Sequence, residues 1–294
     1  LDVSSYGTVY ADVTNFGTIR TSGDWVGQSA DNPLKLVNSG TIDSNNTNGF
    51  INVSIENTES GVLRSSGVIS CWIKEGSSVS GGTLEGSMTF QTGDGEASIS
   101  NLRIANDADV SVGSGSSVKA SGTLVIDSAF TNRSTLYANG AVSLEGSGSL
   151  VVYGSLGKKD WSDSGIFVIG SGFSVTGTGN IYSDIVNSGL IHANGSNSMN
   201  FIGKSSAERT SLVNNSEIRA TGYLGFRNVR VDNANGVLRT SGGAFLLYDG
   251  SWISGGVLDG AFELSRASNS VVRLENVSIT ANSSIETGPY HSTT

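Results

Sequence analysis

Cysteine occurs once, at Cys71, so no disulfide can close within one chain and thiolate metal sites are excluded. Two histidines, His192 and His291, are too few for a multi-histidine metal centre. Proline occurs twice, and charged residues make up 15% of the 294 residues, against about 25% in ordinary globular proteins. The charges are lopsided, 17 basic against 26 acidic, for a net charge of −9. Nucleic-acid binders carry a basic stripe, so no nucleic-acid partner is expected. No run approaches 18 consecutive apolar residues, which excludes a transmembrane helix. Good helix formers are sparse while glycine contributes 40 residues, which disfavours helix-rich folds. Apolar residues still reach 37%, too many for a flexible linker. Scarce cysteine with abundant Ser, Thr, Asn and Gly fits an extracellular protein. The chain begins at Leu1 rather than Met and reads as a mature or excised segment.

What is present is repetition, at two scales. A short phrase runs Asn15-Phe16-Gly17-Thr18-Ile19-Arg20, then Asn38-Ser39-Gly40-Thr41-Ile42-Asp43, then Asn187-Ser188-Gly189-Leu190-Ile191-His192. Degenerate copies begin at Asn132 and Asn214, and copies in adjacent units lie 23 residues apart (Asn15 to Asn38) and 27 apart (Asn187 to Asn214), within a unit of 19 to 27 residues. A longer repeat lies over it, in which residues 35–104 read again at 211–279. Leu36-Val37-Asn38 matches Leu212-Val213-Asn214, and Gly61-Val62-Leu63-Arg64 matches Gly236-Val237-Leu238-Arg239. Ser80-Gly81-Gly82-Thr83-Leu84-Glu85-Gly86 matches Ser254-Gly255-Gly256-Val257-Leu258-Asp259-Gly260. The offset stays between 174 and 176.

Between the turns lie short β-branched or aromatic runs such as Val62-Leu63, Val68-Ile69, Thr123-Leu124-Val125-Ile126 and Phe245-Leu246-Leu247-Tyr248, bounded by Gly, Asn or Ser. No segment sustains a 3.6-residue apolar period. A unit of this length with two or three strands is one coil of a parallel β-solenoid, which buries its inward face only by stacking on its neighbours. Taken alone, each Asn-x-Gly is equally a hairpin turn, and a sandwich or propeller is the competing architecture; the long repeat favours the solenoid. The expected fold is all-β, a right-handed parallel β-helix over 1–294 with an internal repeat of about 175 residues. At about 4.8 Å per coil, about 13 coils make a rod near 60 Å long. Glycine serves the corners, and stacked Asn side chains can hydrogen-bond along the axis. Residues 155–165 read as a loop pushed out of one coil, and a second excursion runs from Gly23 through Trp25 to Pro33. The repeat pattern reaches both ends without an amphipathic cap, so end coils are expected to expose strand edges and to permit end-to-end self-association.

Residues 187–195, 232–243 and 253–258, with the phrase Asn38-Ser39-Gly40-Thr41-Ile42, resemble the repeats of large bacterial surface proteins. The family is that of the β-strand-repeat adhesins and autotransporter-passenger-like proteins, and the likeness is weakest between residues 141 and 183. The resemblance implies a secreted, cell-surface β-helix serving as stalk, adhesin or surface layer, and it implies no catalytic residue and no cofactor.

Parallel β-helices also house polysaccharide-acting enzymes and phage tailspikes, whose sites need clustered carboxylates with a nearby cation. The nearest approach is Lys158-Lys159-Asp160-Trp161-Ser162-Asp163, where a tryptophan among charges offers a platform for a surface glycan. The bland alternative is a solvated loop with one partly packed tryptophan. Thr92–Glu96 and Asn106–Asp109 are weak calcium candidates, and ordinary turns are the favoured explanation of both. His192 stands where other copies have Asp43 or Arg219, which marks a solvent-facing strand position, while His291 lies in a polar tail. Cys71 reads as a buried small hydrophobe. Trp25, Trp72, Trp161 and Trp252 read as private packing of individual coils. Seven Asn-x-Ser/Thr sequons occur, at Asn45, Asn52, Asn132, Asn194, Asn214, Asn276 and Asn282. The expectation is a non-enzymatic, extracellular structural or adhesive protein, with a filament subunit and a polysaccharide-acting β-helix as alternatives.

Overall fold

The structure is a computed structural model, and it describes residues 2–3, 7–44, 49–67, 70–264 and 271–287. Val68, Ile69, Asn45 and His291 lie outside the described residues. Among the described residues every regular element is a β-strand, and the ladders pair in parallel, each strand with its equivalent one coil away. The chain is a parallel β-solenoid of about 13 coils. It divides into two compact units, Leu1–Leu150 and Val151–Thr294.

The first unit has three sheets. Sheet I stacks Val13–Asn15, Leu34–Asn38, Val53–Asn57 and Ser78–Ser80. Sheet II stacks Thr18–Thr21, Thr41–Ser44, Val62–Ser65 and the start of Thr83–Phe90. Sheet III stacks Asp24–Val26, Gly49–Ile51 and Cys71–Ile73 on the end of that same long strand. Later strands such as Ala97–Ile104 and Ser117–Ile126 are longer and turn the corner from sheet I into sheet II. The second unit repeats the plan. Sheet I′ carries Asp184–Asn187, Thr210–Asn214, Val229–Asp232, Trp252–Ser254 and Arg273–Glu275. Sheet II′ carries Leu190–Ala193, Glu217–Ala220, Val237–Thr240 and Val257–Asp259. Sheet III′ carries Met199–Ile202, Tyr223–Arg227, Ala244–Leu247 and Ala261–Leu264.

Alternation of side chains fixes inside and outside. Leu34–Asn38 buries Leu34, Leu36 and Asn38 and turns Lys35 and Val37 outward. Stacking then places like on like. Ile19, Ile42, Leu63 and Leu84 form one inward column of sheet II, and Ile191, Ile218, Leu238 and Leu258 form its counterpart in sheet II′. Each such side chain is at most 3% exposed, and burying one contributes about 1.5–3 kcal/mol. In sheet III′ the interior column is aromatic, with Phe201–Phe226, Phe226–Phe245 and Phe245–Phe262 centroids 5.4, 5.8 and 5.1 Å apart.

The Asn of the short phrase is also inward. Asn15 Nδ2 donates to Asn38 Oδ1 at 2.8 Å, and Asn38 Nδ2 donates to Asn57 Oδ1 at 2.7 Å. The second unit has the same chain, Asn187 to Asn214 at 2.8 Å and Asn214 to Asn233 at 2.7 Å. Each ladder stops at a Gly-Gly pair, where Asn57 Nδ2 donates to Gly81 O and Asn233 Nδ2 to Gly255 O. A Cβ on Gly256 would lie 2.2 Å from Asn233 Nδ2 and 1.9 Å from its carbonyl oxygen, and φ there is +68°; only glycine fits. The stacked asparagines are not the left-handed ones. Among the described residues positive φ falls on two equivalent pairs of asparagines, Asn52 and Asn228 at +53° and +52°, and Asn101 and Asn276 at +49° and +52°.

The long repeat reaches further back than the sequence match. A Cβ on Gly27 would meet Asn52 O at 2.0 Å, and one on Gly203 would meet Asn228 O at the same distance, so 27 and 203 are equivalent corners. One expectation is corrected. Gly23 to Pro33 is not wholly an excursion, because Asp24–Val26 is a strand of sheet III. Trp25 is fully buried, stacks on Phe50 at 6.1 Å and donates from Nε1 to Thr21 Oγ1 at 3.3 Å. It occupies the interior place that Phe201 takes in the second copy.

Candidate functional site

Residues 155–165 are not a loop throughout: Ser155–Gly157 is a strand paired with Asn180–Ile181, and the loop that follows is part of the second unit. Lys158 Nζ pairs with Asp184 Oδ2 at 2.8 Å, with only 14% of the lysine side chain exposed. Asp163 Oδ2 accepts the Asp160 backbone N–H at 2.9 Å, and Asp163 N–H returns to Asp160 O at 3.0 Å. The two carboxylates thus belong to one closed turn. Trp161 is 42% exposed, and its edge meets Tyr182 at 6.0 Å. Lys159 is exposed beside Asp160.

The other candidates fall where the strands put them. Thr92 is buried and exchanges hydrogen bonds with Ser116 Oγ and Ser117 N–H, which makes the 92–96 segment a structural turn. Among the described residues no three His, Cys, Asp or Glu side chains gather as a metal site requires. Cys71 is fully buried, and burial pushes its thiol up to about 12. His192 points outward from sheet II′, with Nε2 3.1 Å from Thr221 Oγ1. Burial first, and then the Arg219 guanidinium in the next coil, lower its pKa. Trp72 and Trp161 are exposed, whereas Trp252 is half-buried. Of the sequons, Asn132 and Asn214 are fully buried and closed to modification, whereas Asn194, Asn276 and Asn282 are exposed.

Outward columns carry the charge. In sheet II, Arg20, Asp43, Arg64 and Glu85 stack with alternating sign, and Arg64 binds Glu85 at 2.5 Å. In sheet II′, Arg239 bridges Glu217 at 3.6 Å and Asp259 at 2.9 Å. Asp259 also accepts from Thr280 Oγ1 at 2.8 Å; that bond and Arg239 hold its carboxyl below the usual range.

A second charged feature was invisible in the sequence. At the corner between sheets III′ and I′, arginines from several coils converge on residues 248–252. Arg209 Nε donates to Gly250 O at 2.7 Å. The Arg227 guanidinium lies 4.9 Å from the Tyr248 ring centroid. Arg230 and Arg273, one coil to either side of Trp252, lie 4.7 and 5.3 Å from its indole. These residues are up to 64 positions apart in the chain, so no local motif marks them. Comparison with protein-family models, with curated proteins and with solved structures finds no match for this chain.

Proposed function

We propose that this chain is a non-enzymatic, extracellular structural and adhesive solenoid of a bacterial cell surface. The observation that carries the reading is the different fate of inside and outside in the long repeat. The Asn ladder, the Gly-Gly stop, the corner Asn and the inward aliphatic columns recur in both copies. The outward column of sheet I reads Ser54, Ser78, Ser98, while its counterpart in sheet I′ reads Arg230, Trp252, Arg273. A scaffold that holds its interior constant and varies its surface from coil to coil is built to present surfaces.

The test is adherence of beads coated with the chain to bacterial and host cell layers, beside an electron-microscopic dilution series. Coated beads that adhere above bare beads, with discrete particles on dilution, support the reading. Long filaments that persist on dilution would reassign the chain to a structural polymer. Depolymerisation of a polysaccharide, lost on changing Asp160 and Asp163, would make it an enzyme.

A further inference from the structure

We propose that the corner around Tyr248 and Trp252 is a binding site for an anionic polysaccharide, one bearing carboxylate or sulfate groups. The inference rests on the adhesive reading above and names the ligand class for one face.

Four of the 17 basic residues of a chain with net charge −9 converge on this one corner. Among the described residues no carboxylate lies within ion-pair distance of Arg209, Arg227 or Arg230, and Arg273 reaches only Glu275, at 3.6 Å. Most exposed arginines of the sheet II columns behave differently, since Arg64, Arg219 and Arg239 are each paired with an acid. Asp249 sits within the corner and pairs with none of the four.

The guanidiniums are also held in place. Stacking on Tyr248 and Trp252 fixes the planes of Arg227, Arg230 and Arg273, and the bond to Gly250 O fixes Arg209. A planar fork held this way presents its remaining N–H groups to an oxyanion with little further ordering. Arg230 and Arg273 stand two rungs apart, about 10 Å, so their charges recur along the coil axis as charges recur along a polymer.

The fold does not need this cluster. At the equivalent corner of the first copy, Ile51, Ser54, Lys74 and Ser78 stand in place of Arg227, Arg230, Tyr248 and Trp252. That corner keeps the same backbone, with Asn52 at positive φ and Ser77 Oγ donating to Phe50 O at 2.7 Å, as Ser251 Oγ donates to Phe226 O. Trp252 meets a guanidinium from the coil on either side, which disfavours stacking of a nucleobase on its ring. The chain's net charge of −9 opposes a nucleic-acid duplex, whose phosphates extend well beyond one corner. A flexible glycan that meets the cluster locally avoids both obstacles.

The experiment is calorimetric titration of the full chain with polygalacturonate, dextran sulfate, neutral dextran and a short DNA duplex, at low and at physiological salt. Either charged polysaccharide should bind, neutral dextran should not, and the affinity should fall with salt. R227Q/R230Q should lose about tenfold in affinity and flatten the salt dependence. R64Q/R103Q, which removes the same charge from the first unit, should not. Should R227Q/R230Q fail to fold, R227K/R230K keeps the charge and loses the fork, and it should weaken binding at an unchanged melting temperature. Equal binding of charged and neutral dextran, equal loss in the two glutamine variants, or tighter binding of the duplex would overturn the proposal. Adhesion of coated beads without binding of either charged polysaccharide would sink this site alone; binding without adhesion would sink the adhesive reading and leave the site.

Discussion

Replacing Asn214 by alanine removes the middle link of a buried amide chain, and the structure sets the size of the effect. Asn214 accepts from Asn187 at 2.8 Å and donates to Asn233 at 2.7 Å, with no exposure to solvent. Without it, Asn233 Oδ1 stays buried and loses its donor, which costs about 1–3 kcal/mol. Asn187 Nδ2 keeps only its longer bond to Glu217 O at 3.3 Å, so about 1 kcal/mol more is lost there. The vacated volume adds about 1 kcal/mol. The sum is about 3–5 kcal/mol, read as a lower urea midpoint by circular dichroism at constant m. N194A, an exposed asparagine in a turn, should stay within about 0.5 kcal/mol of the parent. In a double-mutant cycle, N187A and N214A should couple by at least about 1 kcal/mol. A cost for N214A no larger than that of N194A, or strict additivity in the cycle, would refute the claim that the ladder is a stabilising chain.

Three further outcomes follow from geometry already described. G256A forces a methyl onto the Asn233 amide and carbonyl at positive φ, and should destabilise by at least about 2 kcal/mol; a neutral result in the same urea assay would contradict the Gly-Gly stop. Cys71, with its thiol pushed up to about 12, should resist iodoacetamide at pH 8 in the folded protein and react fully in urea; rapid labelling of the native state would show the site to be open. His192 has a folded pKa below its unfolded value of about 6.5, so the unfolded chain binds the extra proton first as pH falls. Its contribution is therefore present above about pH 6.5 and lost on acidification through the interval below it, and H192Q should narrow the stability difference between pH 8 and pH 5.5.

How much was legible in the sequence follows from which contacts are periodic. Ile19, Ile42 and Leu63 meet because each recurs in the same phrase one coil later, so a repeat read along the chain is already a statement about neighbours in space. Asn38 and Asn214 were visible for the same reason. Trp25 misled because Gly23 and Gly27 frame it like a loop, although its ring substitutes for a phenylalanine in an interior column. The arginine corner was illegible for the opposite reason. Arg209, Arg227, Arg230 and Arg273 occupy outward places that the repeat leaves free, and only the fold shows that they lean on one turn. The loop at 158–163 drew attention through its composition, but a Lys158–Asp184 pair and an Asp160–Asp163 turn depend on partners that composition does not name.

The direction of the asparagine ladders bears on how such a chain changes size. Every ladder amide donates toward the coil that follows it, so each coil offers its predecessor an acceptor and its successor a donor. Within a ladder, duplicating one whole turn of the helix therefore leaves each amide facing a chemically identical neighbour. A cut through the middle of a turn would bring an aliphatic column under an amide column and turn every later side chain the wrong way. The ladder thus tolerates a change in the number of whole turns, while the phase within a turn is held fixed.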